Sequence, residues 1–129
     1  MKKIIALLSV ALFATAILAF AADEAKSELR PAQKLMQARK AWLTAITENL
    51  KAKNFEAIAK DADALAAQAK KVGESKTNPL AKELDLAVSS LANDVSAAAA
   101  NQNSDTIKTK LGAIKDKCSE CHEKIRDKK

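Results

Sequence analysis

The chain has 129 residues, few enough for a single domain, and a formal net charge of +6. Two glycines, two prolines and 3% aromatic residues set against 48% hydrophobic residues exclude a β-rich fold and point to an all-α class. Basic residues are interspersed with acidic ones rather than gathered in a block, which argues against nucleic acid as a partner and reads as a solvated surface with some steering of acidic partners.

The chain opens on Met1-Lys2-Lys3, runs apolar from Ile4 to Leu18, and then reads Ala19-Phe20-Ala21, a small-x-small cleavage pattern. This predicts a secretory signal peptide over 1–21 and a mature chain over 22–129, exported to the periplasm. The competing reading is a retained membrane anchor, but the apolar run is shorter than the ~20 residues that span a bilayer. Without Lys2 and Lys3 the formal charge falls by two from +6.

Four helices follow. The first is predicted from Pro31 to Ala52, since proline is tolerated at the first helical position and Leu35, Met36, Trp42, Leu43, Ile46 and Leu50 recur at helical spacing. Asn54 is the predicted cap of the second, Phe55 to Val72, with the stripe Phe55, Ile58, Ala62, Leu65, Ala69 and Val72; Gly73 suits a left-handed C-terminal position. Asn78-Pro79 opens the third, which carries Leu80, Leu84, Ala87, Leu91, Val95 and Ala98 and ends near Ala100. After the polar string Asn101-Gln102-Asn103-Ser104, the last helix alternates Ile107, Leu111, Ile114, Cys118, Cys121 and Ile125. The connections are short, so sequential helices must be antiparallel neighbours in an up-down-up-down four-helix bundle.

The core of such a bundle is thin. Aromatic residues of the mature chain are limited to Trp42 and Phe55, and much of the apolar fraction is alanine, which removes little area from water. A large flat cofactor would supply the missing bulk.

Chemistry is carried by Cys118-Ser119-Glu120-Cys121-His122, the C-x-x-C-H pattern of haem c attachment. Two thiols three apart on a helix share a face, where each can add to a porphyrin vinyl group, and His122 then lies beneath the iron. Three other readings compete. A thioredoxin-like pair needs a βαβ context that is absent; a zinc site needs a fourth ligand, and His122 is the only histidine; a structural disulfide suits an oxidising compartment.

C-x-x-C-H followed by Glu123-Lys124-Ile125-Arg126 at the end of a four-helix chain resembles the class II cytochromes c, and the likeness covers the whole mature chain. Its most specific part is the C-terminal haem motif with an arginine four residues after the histidine; the usual aromatic before that arginine is Ile125 here. The resemblance implies one covalently bound haem c, no bond-making reaction on a substrate, and transient redox partner proteins. It also implies no membrane association after signal cleavage, and either a monomer or a homodimer packed through the first two helices.

The distal face of the haem turns on Met36. Apart from Met1 it is the only methionine, and it lies about as far inside the start of the first helix as His122 lies from the end of the last. In this topology those ends coincide, and at ~1.5 Å per residue the two side chains come to nearly the same depth. Met36 is therefore the candidate distal iron ligand and His122 the proximal one. The alternative is ordinary core, in a seam with Leu29, Leu43 and Leu50. Six-coordinate members of the resembled family carry a methionine in this region, whereas cytochromes c′ leave the iron five-coordinate and bind nitric oxide or carbon monoxide; their arginine one turn earlier is Ala32 here.

Arg39 falls on the apolar arc of the first helix. Either a haem propionate satisfies it or its stem covers apolar surface while the head reaches water. Arg126 is the second propionate candidate, against a solvated helix end. Trp42 reads as core rather than electron relay, and Gly112 as a place where a neighbouring helix comes close.

Overall fold

The computed structural model describes residues 31–126. The expected signal peptide, the segment up to residue 30 and Leu29 of the proposed seam lie outside the described residues. Within them the chain forms α1 (Pro31–Lys51), α2 (Phe55–Ser75), α3 (Pro79–Ala100) and α4 (Ser104–Cys121), followed by a π-helical turn, His122–Arg126. This is the all-α, up-down-up-down four-helix bundle that the periodicity and short connections require. Among the described residues no helix is long and apolar enough to cross a membrane.

The three connections are built by asparagines. Asn54 Oδ1 accepts from Ala57 N at 3.3 Å, Asn78 Oδ1 from Leu80 N at 2.9 Å and Ala81 N at 3.2 Å, and Asn103 Oδ1 from Thr106 N at 3.1 Å. Each satisfies donors that a helix start leaves without partners. Left-handed backbone occurs at Lys53 (φ 55°) and Gln102 (φ 54°), one just before each of two asparagine caps. Both reverse the chain in a single residue.

Both glycine expectations are corrected. Gly73 does not end α2: the helix continues to Ser75, and Gly73 is buried with ordinary helical backbone. Its role is steric. A Cβ there would stand 3.1 Å from Asp85 Cβ and 3.2 Å from the Leu86 side chain, so its absence lets α3 approach α2. Gly112, expected at a close approach, is exposed, and a Cβ added there would meet nothing within 4 Å.

The core runs along the bundle through Ile46 of α1, Ile58, Leu65 and Ala69 of α2, Val88, Ala92 and Val95 of α3, and Ile107, Leu111 and Ile114 of α4. The backbones of α2 and α3 approach most closely, followed by α3 and α4, whereas α1 stands further off from all of them. Side-chain size explains the difference. α2 and α3 meet through Ala62, Ala66, Ala69, Ala81 and Ala92, and Ser89 Oγ donates across the seam to the Ala66 carbonyl at 2.8 Å. α1 instead contributes Trp42, Leu43, Ile46 and Leu50, which hold its backbone at arm's length. Trp42 is packed against the core, as expected.

Candidate functional site

The expected site residues gather at one end of the bundle. A small cavity of about 20 Å³ is bounded by Met36 and Arg39 of α1, Asp85 of α3, and Cys118, Cys121 and His122. A second cavity, about 390 Å³, opens between α1 and α4 and is again lined by Met36, Arg39, Cys118 and His122, with Leu43 and Lys115. That volume lies in the ~300–1,000 Å³ range of small-molecule sites. Helices α1 and α4 thus bring the two ends of the predicted ligand set to the same depth, as their opposed directions require.

Met36 is 39% exposed, the one large hydrophobic side chain so exposed among the described residues. A core role does not account for a methionine left facing a cavity, because it forgoes the ~0.8 kcal/mol gained per buried methylene.

Cys118 and Cys121 are free thiols on the last turn of α4. Cys118 is the deeper of the two and packs against the core cluster. Burial pushes both thiols above their ordinary value; Arg39 opposes the shift at each, while Asp85 adds to it. Neutral thiols are weak nucleophiles, so neither behaves as an activated cysteine. No group of three or more His, Cys, Asp or Glu side chains among the described residues is arranged to hold a metal ion by itself.

The helix changes character at His122. Its backbone N–H reaches the carbonyls of both Cys118 and Ser119, and from there to Arg126 the winding is π-helical. A widened turn of this kind recurs at functional sites, where it re-aims the residues that follow. Across the junction Lys124 Nζ donates to Glu120 Oε1 at 2.8 Å, and Lys117 Nζ lies 3.5 Å from Glu120 Oε2. The Lys124 hydrogen bond holds the Glu120 carboxyl below its usual range and raises the Lys124 ammonium in return. The π-helical turn is thereby tied to Glu120, one of the two residues between the cysteines. The Arg126 side chain lies outside the described residues.

Arg39 is the largest departure from expectation. Its head does not reach water. The side chain is 7% exposed; Nη2 lies 2.8 Å from Asp85 Oδ1, and Nε donates to Gln68 Oε1 at 2.9 Å. The cation on the apolar arc of α1 is met by an anion on the apolar arc of α3, with the Asp85 side chain 10% exposed. Nη2 nevertheless has no aligned hydrogen-bond acceptor, which leaves a buried cationic donor unsatisfied beside the cavity. Sequence reasoning missed Asp85 and Gln68. The signal was present: Asp85 sits four residues after buried Ala81 and four before buried Ser89, so it shares their face.

Comparison of the chain with protein-family models, with curated proteins and with solved structures returns no match.

Proposed function

We propose that this chain is a monohaem c-type cytochrome of the exported kind, carrying single electrons rather than transforming a substrate. One observation carries the reading: Met36, left exposed, lines the same cavity as Cys118 and His122. In this reading Cys118 and Cys121 hold haem c through thioethers, His122 is the proximal iron ligand and Met36 the distal one. Haem iron with His and Met ligands supplies one-electron exchange with little change in coordination.

The residues present fit that group. Two thiols share a face, an imidazole follows at once, and a thioether stands across the cavity. The unsatisfied Nη2 of Arg39 offers a buried positive donor for a propionate, with Arg126 as the second candidate. The chain's own contribution is positional. The helix termini set the depth of Met36 and His122, and the apolar flank formed by Leu43, Leu84 and Val88 limits water.

The test is production in a host competent for haem c maturation. The expected product is coloured, heavier than the polypeptide by one haem, low-spin, and unreactive or slow toward carbon monoxide. Met36→Ala should turn it high-spin and carbon-monoxide-reactive. A colourless product of bare polypeptide mass ends the proposal. A low-spin spectrum that survives Met36→Ala removes Met36 as ligand, and a high-spin native protein makes the chain a five-coordinate gas binder.

A further inference from the structure

Further along the seam between α1 and α4, away from His122, lies a larger groove of about 660 Å³. Its floor is apolar: Leu50, Leu111 and the bare backbone of Gly112, where an added Cβ would meet nothing within 4 Å. Its rim is basic on both banks, with Lys51 and Lys53 from the α1 side and Lys108 and Lys115 from α4. No acidic side chain lines it.

The lysines are largely uncommitted. Lys51 lies 3.2 Å from Glu48, but Lys53, Lys108 and Lys115 make no ion pair among the described residues, although Lys110, Lys117 and Lys124 of the same C-terminal stretch are all paired. Lysine heads that repel one another around an apolar trough form a site of definite complementarity. Their methylene stems extend the apolar wall while the ammonium groups stay at the rim. The occupant this favours has an apolar body and an anionic head. A second copy of this basic chain has the wrong charge. The groove is short as well: Lys108 and Lys115 are seven residues apart, ~10 Å along the helix, which suits a small molecule better than a protein surface.

We infer that the α1–α4 groove is a binding site for a lipophilic carboxylate, its chain lying on Leu50, Leu111 and Gly112 and its head paired with Lys108 or Lys115. Gly112 leaves the trough open on the α4 bank, where only a bulky side chain would take up the space. The inference is separable from the haem reading: it uses neither cysteine nor His122, shares only Lys115 with the other α1–α4 cavity, and is read out by binding rather than by colour.

The experiment titrates the mature chain with dodecanoate below its micellar concentration, followed by calorimetry and backbone amide shifts, with dodecanol and dodecyltrimethylammonium as controls. Expected are shifts clustered at 47–53 and 104–115, with dodecanoate binding at least about tenfold tighter than either control. Gly112→Phe places its Cβ in open space and raises helix propensity, so it should fold, and its ring, projecting into the groove, should weaken dodecanoate binding by about tenfold or more. The double variant Lys108→Glu, Lys115→Glu should lose it similarly. Equal binding of all three amphiphiles, unchanged affinity in Gly112→Phe, or capture of an acidic peptide where dodecanoate fails would each overturn the assignment.

Discussion

Asp85 is the residue whose removal tests the packing argument most severely. It and Arg39 face each other at 2.8 Å with side chains 10% and 7% exposed, so neither can turn to water when the other is lost. Breaking such a pair from one side costs ~3–5 kcal/mol, most of it the burden of the charge left behind. Asp85→Asn keeps the shape and one acceptor, which puts it near ~3 kcal/mol; Arg39→Met, which strands the carboxylate, belongs in the upper part of the range. A domain of this size has ~5–15 kcal/mol in all. At ~4–8 °C per kcal/mol, Asp85→Asn should therefore lower Tm by more than about 12 °C. The assay is urea denaturation followed by helical circular dichroism for both single variants and the double. The two losses should fall short of additivity by ~2 kcal/mol, because the double variant strands no charge. Additive losses, or a cost below ~1 kcal/mol for Asp85→Asn, would show that the pair is not a coupled buried unit.

The two glycines should respond oppositely to the same change. Gly73→Ala forces a methyl to within 3.1 Å of Asp85 Cβ, and overpacking of this kind should cost ~1–3 kcal/mol, whereas Gly112→Ala meets open space and should stabilise by ~0.5–1 kcal/mol; thermal melts of the pair decide it. The thiols set a pH dependence for the haem-free, reduced chain. Both are raised on folding, so the folded state holds its protons longer: stability should be full below the unfolded thiol value of ~8.5 and fall as pH rises through the folded values. Denaturation midpoints across that window check it, and Cys118→Ser, Cys121→Ser should flatten the decline. In the same chain Cys118, packed on the core, should alkylate more slowly than Cys121.

How much of this was legible in the sequence depended on whether a feature is local. Asn54, Asn78 and Asn103 announce helix starts because a cap is decided by the residue and the few that follow it. The stripes of α2 and α4 could be read for the same reason, whereas that of α3 was read only in part, since buried Val88 and Ala92 lay outside it; the common depth of Met36 and His122 followed from helix lengths and antiparallel order. What stayed hidden is pairwise. Arg39 was visible as an oddity on its arc, yet its partner lies 46 residues away on another helix, and single-helix periodicity cannot say which arcs face each other. The glycines failed together, since whether a missing Cβ is an end signal, a close approach or an opening is set by the neighbouring helix. The π-helical turn at His122 has no compositional marker, because it arises from how the final turn closes over Cys118 and Ser119.

The distance at which α1 stands from its neighbours has a consequence for how the molecule opens. A fluctuation that releases α1 surrenders the Arg39 latch and the Ile46 anchor but leaves the alanine seam of α2 with α3, and the packing of α4 on α3, untouched. Partial opening of the bundle should therefore begin at α1, with the other three helices keeping their packing.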